Sequence, residues 1–156
     1  METDNLIYGF QGPHRFLSNF WPVPHGIVFD NVIYPTVEHA YQAGKTLDPR
    51  QRRAILNAST PGEAKQIGRR MEITQPDWED WKLFHMEALV RSKFLAGTKL
   101  GAQLLRTGGA KLVEANTWGD RFWGKCHGTG KNHLGEILME VRDDLRIQYT
   151  TWKRSV

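Results

Sequence analysis

Helix caps and prolines recur through the middle of the chain and divide it into short helices. Pro35-Thr36, Asp48-Pro49 and Thr60-Pro61-Gly62-Glu63 each combine a side chain that can accept a free helical N–H with a proline at or just before the first turn. They predict helices over 36–45, from Asp48 to about Ala58, and from Thr60 to about Arg70. The last of these opens on a capping box and carries Lys65, Arg69 and Arg70 on a solvated face. Gln75-Pro76-Asp77 introduces the longest helix, about 77–96, with Asp77 as its cap. In it Trp78, Trp81, His85 and Leu89 form one apolar row, and Leu83, Met86, Val90 and Phe94 an overlapping one. Most of these are core, while Trp78, in the first turn, is also placed to overhang a pocket. Gly97 stops this helix. Thr98 starts a short one that turns Leu100, Leu104 and Leu105 inward and ends at Gly108-Gly109.

Strand signals are sparse. Residues 6–11 and 111–115 read as single strands. Residues 27–34 read as a hairpin turning on Asp30-Asn31. A final amphipathic helix, about 132–146, carries Leu134, Ile137, Leu138, Val141 and Leu145, and the tail 147–156 is expected to fray. The expected fold is mainly α (α+β): one compact helical domain over 1–156, its core about 5–146, with a small β-hairpin or sheet. The 156 residues suffice for a real core, and 40% hydrophobic with 24% charged residues excludes a disordered chain. The single cysteine, Cys126, rules out an intramolecular disulfide. With no signal peptide in view, the expected compartment is cytoplasmic. The apolar runs are too short to span a bilayer, so no membrane partner is expected. A net charge of +4 suits anionic ligands such as phosphates.

The stretch Glu38–Lys45 concentrates chemistry. On one helix Glu38, Tyr41, Gln42 and Lys45 fall at i, i+3, i+4 and i+7, a single stripe of carboxylate, phenol, amide and amine. Ala40, Ala43 and Gly44 flank it and allow neighbouring backbone to approach closely. A solvated face with a dipole-paired glutamate is the competing reading. In the loop 16–22, Ser18 and Asn19 sit among Phe16, Leu17, Phe20 and Trp21. Such residues suit a grip on ribose while a base stacks, or equally a turn in which Asn19 bonds its own backbone. Between 117 and 135, Gly124, Gly128 and Gly130, with Lys125 and Lys131, precede the final helix, a generic anion-binding arrangement. Its spacing is neither that of a Walker A loop nor a convincing dinucleotide fingerprint. The six histidines show no metal-ligand spacing, so no metal site is expected. Adjacent Cys126 and His127 make a poor nucleophile–base pair.

Taken together, FLSNFWP at 16–22, YPTVEHAYQAGK at 34–45, WE at 78–79, RSKF at 91–94 and GDRFWGKCHGTGKNHLG at 119–135 resemble the NADAR family over about residues 5–146. The resemblance implies a mostly helical N-glycosidase, a hydrolase acting on N-glycosyl compounds. Two substrate classes follow from it: phosphoribosylamino-pyrimidine intermediates of riboflavin synthesis, and guanine carrying ADP-ribose, free or in nucleic acid. By the same resemblance Glu38 matches the family's helix acid, Lys45 its helix lysine, Trp78 the tryptophan opening the long helix and Asp120 its late aspartate. Phe16 to Phe20, with Ser18, Asn19 and Phe20, match its aromatic loop, and Gly124 to Gly135 its glycine-rich loop.

Glycoside cleavage passes through an oxocarbenium-like state, so a carboxylate near C1′ and an acid for the leaving nitrogen are wanted. Glu38 and Asp120 are able to divide those roles. A lysine of lowered pKa, Lys45, is able instead to attack C1′ and hold the opened sugar as a Schiff base. Tyr41, Gln42, Trp78 and Trp123 are expected around the base and sugar. Gly124, Gly128, Gly130, Lys131 and Asn132 are expected around phosphate. No cofactor is called for. The alternative is a non-catalytic nucleotide or nucleic-acid binding module, in which aromatics and lysines do all the work. Glu38 argues against it, since a phosphate-binding surface has no use for a central carboxylate.

Overall fold

The computed structural model describes residues 5–156 and is mainly helical with three two-stranded sheets. The chain gathers into two compact units, Asn19–Lys93 and the remainder, namely the chain up to Ser18 with Phe94–Val156.

In the Asn19–Lys93 unit, strands β2 (Ile27–Phe29) and β3 (Val32–Tyr34) form the expected hairpin. Asp30 and Asn31 both take positive φ, at 50° and 64°, as a two-residue turn of matching twist requires. Helix α1 is Val37–Ala43, with the Thr36 hydroxyl accepting from the His39 N–H. Helix α2 (Pro49–Leu56) starts on the Asp48 side chain, and α3 (Pro61–Arg70) on Thr60. The Glu63 carboxylate accepts from the Ser59 N–H, one residue before the cap. Helix α4 spans Trp78–Lys93. Asp77 precedes it with φ 54°, and its carbonyl accepts from Asp80 and Trp81. Ile27, Tyr34, Val37, Ala40, Ile55, Met86 and Val90 fill the centre.

The other unit begins with β1 (Leu6–Tyr8), shorter than expected because Gly9 leaves the strand at φ 86°. The loop after it contains a 3-10 helix, Gly12–Leu17. The expected 77–96 helix ends three residues early. The chain turns over Leu95–Thr98, with Gly97 at φ 80° and the Thr98 hydroxyl donating to the Leu95 carbonyl. Helix α5 (Lys99–Arg106) buries Leu100, Gly101 and Leu104, whereas Leu105 is only half-buried. The expected strand 111–115 is split into β4 (Lys111–Val113) and β5 (Ala115–Asn116). Asn132 causes the break: its amide donates to the Leu112 carbonyl and accepts from the Glu114 N–H. β4 pairs in parallel with β1, and β5 in parallel with β6 (Lys125–Cys126).

The tail corrects an expectation. Helix α6 runs His133–Ser155, so residues 147–155 continue the helix rather than fray. The stretch after Gly135 holds neither glycine nor proline. Exposed Tyr149 stacks near Trp152, and the Lys153 amine lies 5.0 Å over the Tyr149 ring, a four-residue pair along one face. No described helix is long and apolar enough to cross a membrane.

Two buried histidines brace α1. The His85 Nε2–H donates to the Ala40 carbonyl, and His39 bonds the Thr36 hydroxyl and the Ala58 carbonyl. Burial pushes His85 from 6.5 down to about 4, and pushes His39 down as well. The unfolded chain therefore takes up protons first as pH falls. Stability should be complete above about pH 6.5 and decline towards pH 4, by about 3 kcal/mol for His85. Urea titrations across this range should show that decline, and His85→Gln, which cannot titrate, should flatten it.

Candidate functional site

Helix α1 does not expose the predicted stripe to water; every residue from Val37 to Ala43 is buried. The solvated-face alternative is therefore overturned, because α1 packs against α2, α3 and α4. Glu38 is 7% exposed. Its N–H donates to the Asn19 carbonyl at 3.1 Å, tying the Asn19-Phe20 loop to the first turn of the helix. Its carboxylate accepts from the Gln42 amide at 2.8 Å, one helical turn on. Burial raises the Glu38 pKa, opposed first by the Gln42 hydrogen bond and then by the fields of Lys65, Lys45 and Arg69.

Lys45 lies just beyond the helix, not on its second turn as the stripe implied. Gly44 caps α1, and the Lys45 N–H reaches back to the Gln42 carbonyl at 3.1 Å. The Lys45 carbonyl accepts from both Thr74 and Gln75, so its backbone is held from both sides. The half-buried side chain places its amine 5.6 Å over the Tyr41 ring. Burial lowers its pKa, the Glu38 charge opposes that shift, and Arg69, Lys65 and Lys82 reinforce it. Among the described residues Lys45 makes no ion pair.

Gly44 has a specific reason to lack a side chain. A Cβ there would stand 2.3 Å from His85 Nε2. The small residues are expected to admit neighbouring backbone; at Gly44 it is instead the His85 side chain that approaches. His85 belongs to an aromatic cluster with Phe29 at 4.7 Å and Trp81 at 4.4 Å, the latter stacked. Trp78 joins it, 5.3 Å from Tyr41 and 5.9 Å from Trp81. At 6% exposed, Trp78 packs inside the unit. Asn19 points its amide at the Met86 sulfur, 3.5 Å away, whereas Phe20 is 40% exposed. Glu38, Tyr41, Gln42, Lys45, Trp78, Asn19 and Phe20 thus all belong to the Asn19–Lys93 unit. Reading the chain by motif missed His85, whose only signal was its place in an apolar row. It also missed Lys65 and Arg69, set one turn apart on α3.

The remaining expected residues lie in the other unit. Ser18 caps the 3-10 helix with its N–H on the Arg15 carbonyl. Asp120 closes a loop: its Oδ1 accepts from Phe122 and Trp123 at 3.0 and 2.9 Å, and the Asn116 side chain clasps its backbone from both sides. Trp123 packs against Phe122, centroids 4.8 Å apart. Lys131 lies over that same Phe122 ring at 6.0 Å. Gly124 is buried, where a Cβ would meet the Glu114 carbonyl at 2.1 Å, and Gly128 turns at φ 78°. Gly130, at φ 153°, lies against the Gly124 carbonyl. Of the backbone donors expected to cradle an anion, those of Lys131 and Asn132 are engaged within the loop. Lys131, Asn132, His133 and Leu134 donate to the carbonyls of Arg121, Gly124, Phe122 and Trp123. Asn132 itself is buried with its amide engaged on both sides. Among the described residues no group of three or more His, Cys, Asp or Glu side chains is placed to hold a metal ion.

Known proteins match this chain over most of its length. The family model of the NADAR domain matches residues 8–146. The chain is 42% identical over 151 residues to the N-glycosidase YbiA of Escherichia coli, covering 93% of this chain and 91% of that protein. It is 38% identical over 148 residues to a riboflavin biosynthesis protein of Vibrio vulnificus, covering 94% of this chain but 40% of that longer protein. The NMR structure of E. coli YbiA superposes with a TM-score of 0.80 at 38% identity, covering 96% of this chain and 90% of that one.

Because Trp78 is buried against Tyr41 of α1 and against Trp81 and His85 of its own helix, Trp78→Ala should cost about 3–5 kcal/mol of stability. Thermal melts with a substrate-binding assay on the folded fraction separate this from a stacking role. An unchanged melting temperature with lost affinity would make Trp78 a platform for the base.

Proposed function

This chain belongs to the NADAR family, and from that premise we propose the following reading: it is an N-glycosidase, a hydrolase acting on N-glycosyl compounds, whose substrate is a ribosylated, nucleotide-like molecule. The observation that carries this reading is the pairing of Glu38 and Lys45 at the two ends of one short buried helix. Burial drives both towards their uncharged forms. Nothing in the packing of α1 demands a carboxylate there; a buried acid and a half-desolvated amine are costly unless used.

The chemistry follows from those shifts. A carboxyl of raised pKa serves as the acid that protonates the departing nitrogen, as its C1′–N bond breaks. Lys45, with its proton more easily lost, supplies the electron pair that bonds C1′. The ring C1′–O4′ bond then opens, O4′ taking up the proton that the Lys45 nitrogen loses, and leaves an imine between Lys45 and the sugar; water hydrolyses it, releasing the sugar with its phosphate still attached and regenerating the amine. Gln42, hydrogen-bonded to Glu38, sets the orientation of the carboxyl group. For Asp120 the support is its match to the family's late aspartate; among the described residues its Oδ2 makes no hydrogen bond. Two substrate classes share this chemistry, phosphoribosylamino-pyrimidines and guanine carrying ADP-ribose. The Vibrio vulnificus relative's name supports the former. Incubation with each, followed by detection of the released base, decides between them.

Glu38→Gln keeps shape and hydrogen bonding but removes the titratable proton. Turnover should fall by about two to four orders of magnitude with the melting temperature little changed. Full activity in this variant would return Glu38 to a helix-dipole role.

Borohydride added during turnover should reduce the imine to a stable secondary amine. Mass spectrometry should then find a sugar adduct on the peptide containing Lys45. Lys45→Arg, cationic but too basic to attack, should abolish both adduct and turnover. An active Lys45→Arg variant would leave Glu38 working directly with water.

A further inference from the structure

Helix α3 carries two glycines, and they differ in what surrounds them. A Cβ at Gly62, near the start, would meet only the Thr60 hydroxyl at 3.8 Å, an ordinary contact. A Cβ at Gly68 would stand 1.9 Å from Gln42 Oε1, 2.6 Å from Gln42 Cδ and 3.1 Å from Gln42 Cβ. Ala64 and Gly68, one turn apart, are the buried residues of α3, which packs against α1. Glycine is a weaker helix former than alanine, so in mid-helix its use is the room it leaves. The end of the Gln42 side chain occupies that room.

That seat decides how Gln42 faces Glu38. An ionised carboxylate only accepts hydrogen bonds, so the amide must turn its nitrogen towards it. The Gln42 Nε2–H donates to Glu38 Oε1 at 2.8 Å, which leaves Gln42 Oε1 against Gly68. Gln42 is 3% exposed, and among the described residues its Oε1 accepts no hydrogen bond. Packing on Gly68, not a second hydrogen bond, therefore holds the amide in place. A methyl group at position 68 would take the place of the amide oxygen and displace the amide. Burial raises the Glu38 pKa, and the Gln42 hydrogen bond is the largest opposing effect, ahead of Lys65, Lys45 and Arg69. Among the other groups of the helices packed here, His39 of α1 and His85 of α4 are lowered by burial and stay mostly uncharged above about pH 6.5. The buried residue of α2 is Ile55.

We propose that Gly68 is a positioning residue for the reaction: by seating the Gln42 amide it fixes the orientation of the Glu38 carboxyl group at the bond to be broken. This rests on the N-glycosidase reading above and adds to it a residue of α3 that acts only through Gln42.

The test measures kcat and KM for base release in wild type and in Gly68→Ala, with Gly62→Ala as the control in the same helix. A phosphoribosylamino-pyrimidine and ADP-ribosylated guanine are each offered as substrate. Gly68→Ala should lower kcat about tenfold to a hundredfold with KM little changed, since a small misplacement of a reacting group costs that much. Glu38 acts with its proton on, so activity falls as pH rises through its pKa. Loss of the Gln42 bond should move that limb to higher pH. In glutamate-labelled protein, carbon NMR should show the same rise in the Glu38 midpoint, its signal assigned by its loss in Glu38→Gln. Gly62→Ala should match wild type in all of these. Gly68→Ala added to Gln42→Ala should change neither kcat nor midpoint further. That pair also decides the case if Gly68→Ala alone fails to fold, because the shortened side chain at 42 leaves room for the methyl group. An unmoved midpoint in folded Gly68→Ala, a loss no greater than that of Gly62→Ala, or a further loss in the Gln42→Ala background overturns the proposal. Absence of base release by wild type from either substrate overturns the glycosidase reading instead, and the Glu38 midpoint then decides the role of Gly68 by itself.

Discussion

The Asn19–Lys93 unit depends on an imidazole pressed against a glycine. His85 in α4 donates to the Ala40 carbonyl and lays its ring where a side chain at Gly44 would be. This contact brings α4 to the end of α1, and the stack of Trp81 and Phe29 on the ring keeps it there. The helix is thereby buried along its whole length, although it has only two turns. A helix that short has little stability of its own, so its packing holds it in shape. The same burial desolvates Glu38 and Lys45. Structure and chemistry here share one cause, because the neighbours that fold α1 also perturb its acid and its amine.

Placing Lys45 beyond the helix end has a consequence for its chemistry. On a continued helix it would share the Glu38 face at a fixed rise. After Gly44 its backbone is instead anchored by Thr74 and Gln75, which fixes the Cα while the side chain passes over Tyr41. The glycine that permits the His85 contact is thus also where the helix ends. The α3 cations add a second layer, since their field assists Lys45 in shedding its proton.

The glycine-rich stretch also has a structural use. Gly124 and Gly130 allow backbone to pass over backbone, and the loop then feeds its carbonyls to the first N–H groups of α6. A loop built this way closes a helix end from within. Asn132 completes it by splitting the β4–β5 segment with its side-chain amide.

Local rules were legible in the chain. Thr36, Asp48, Thr60 and Thr98 cap helices where cap chemistry places them, and Asp30-Asn31 turns the hairpin, because these signals act over three or four residues. The family, and with it Glu38 and Lys45 as the residues to watch, was also legible, since several motifs kept their spacing. Only the tertiary structure decided what surrounds them. It made Trp78 an interior residue and Gly44 a seat for His85, and it half-buried Lys65 over the ring of Phe20. It also carried α6 on to Ser155. Burial, pKa direction and charge balance arise from groups far apart in the chain, and a periodicity measured along one helix holds no information about what another helix brings to its face.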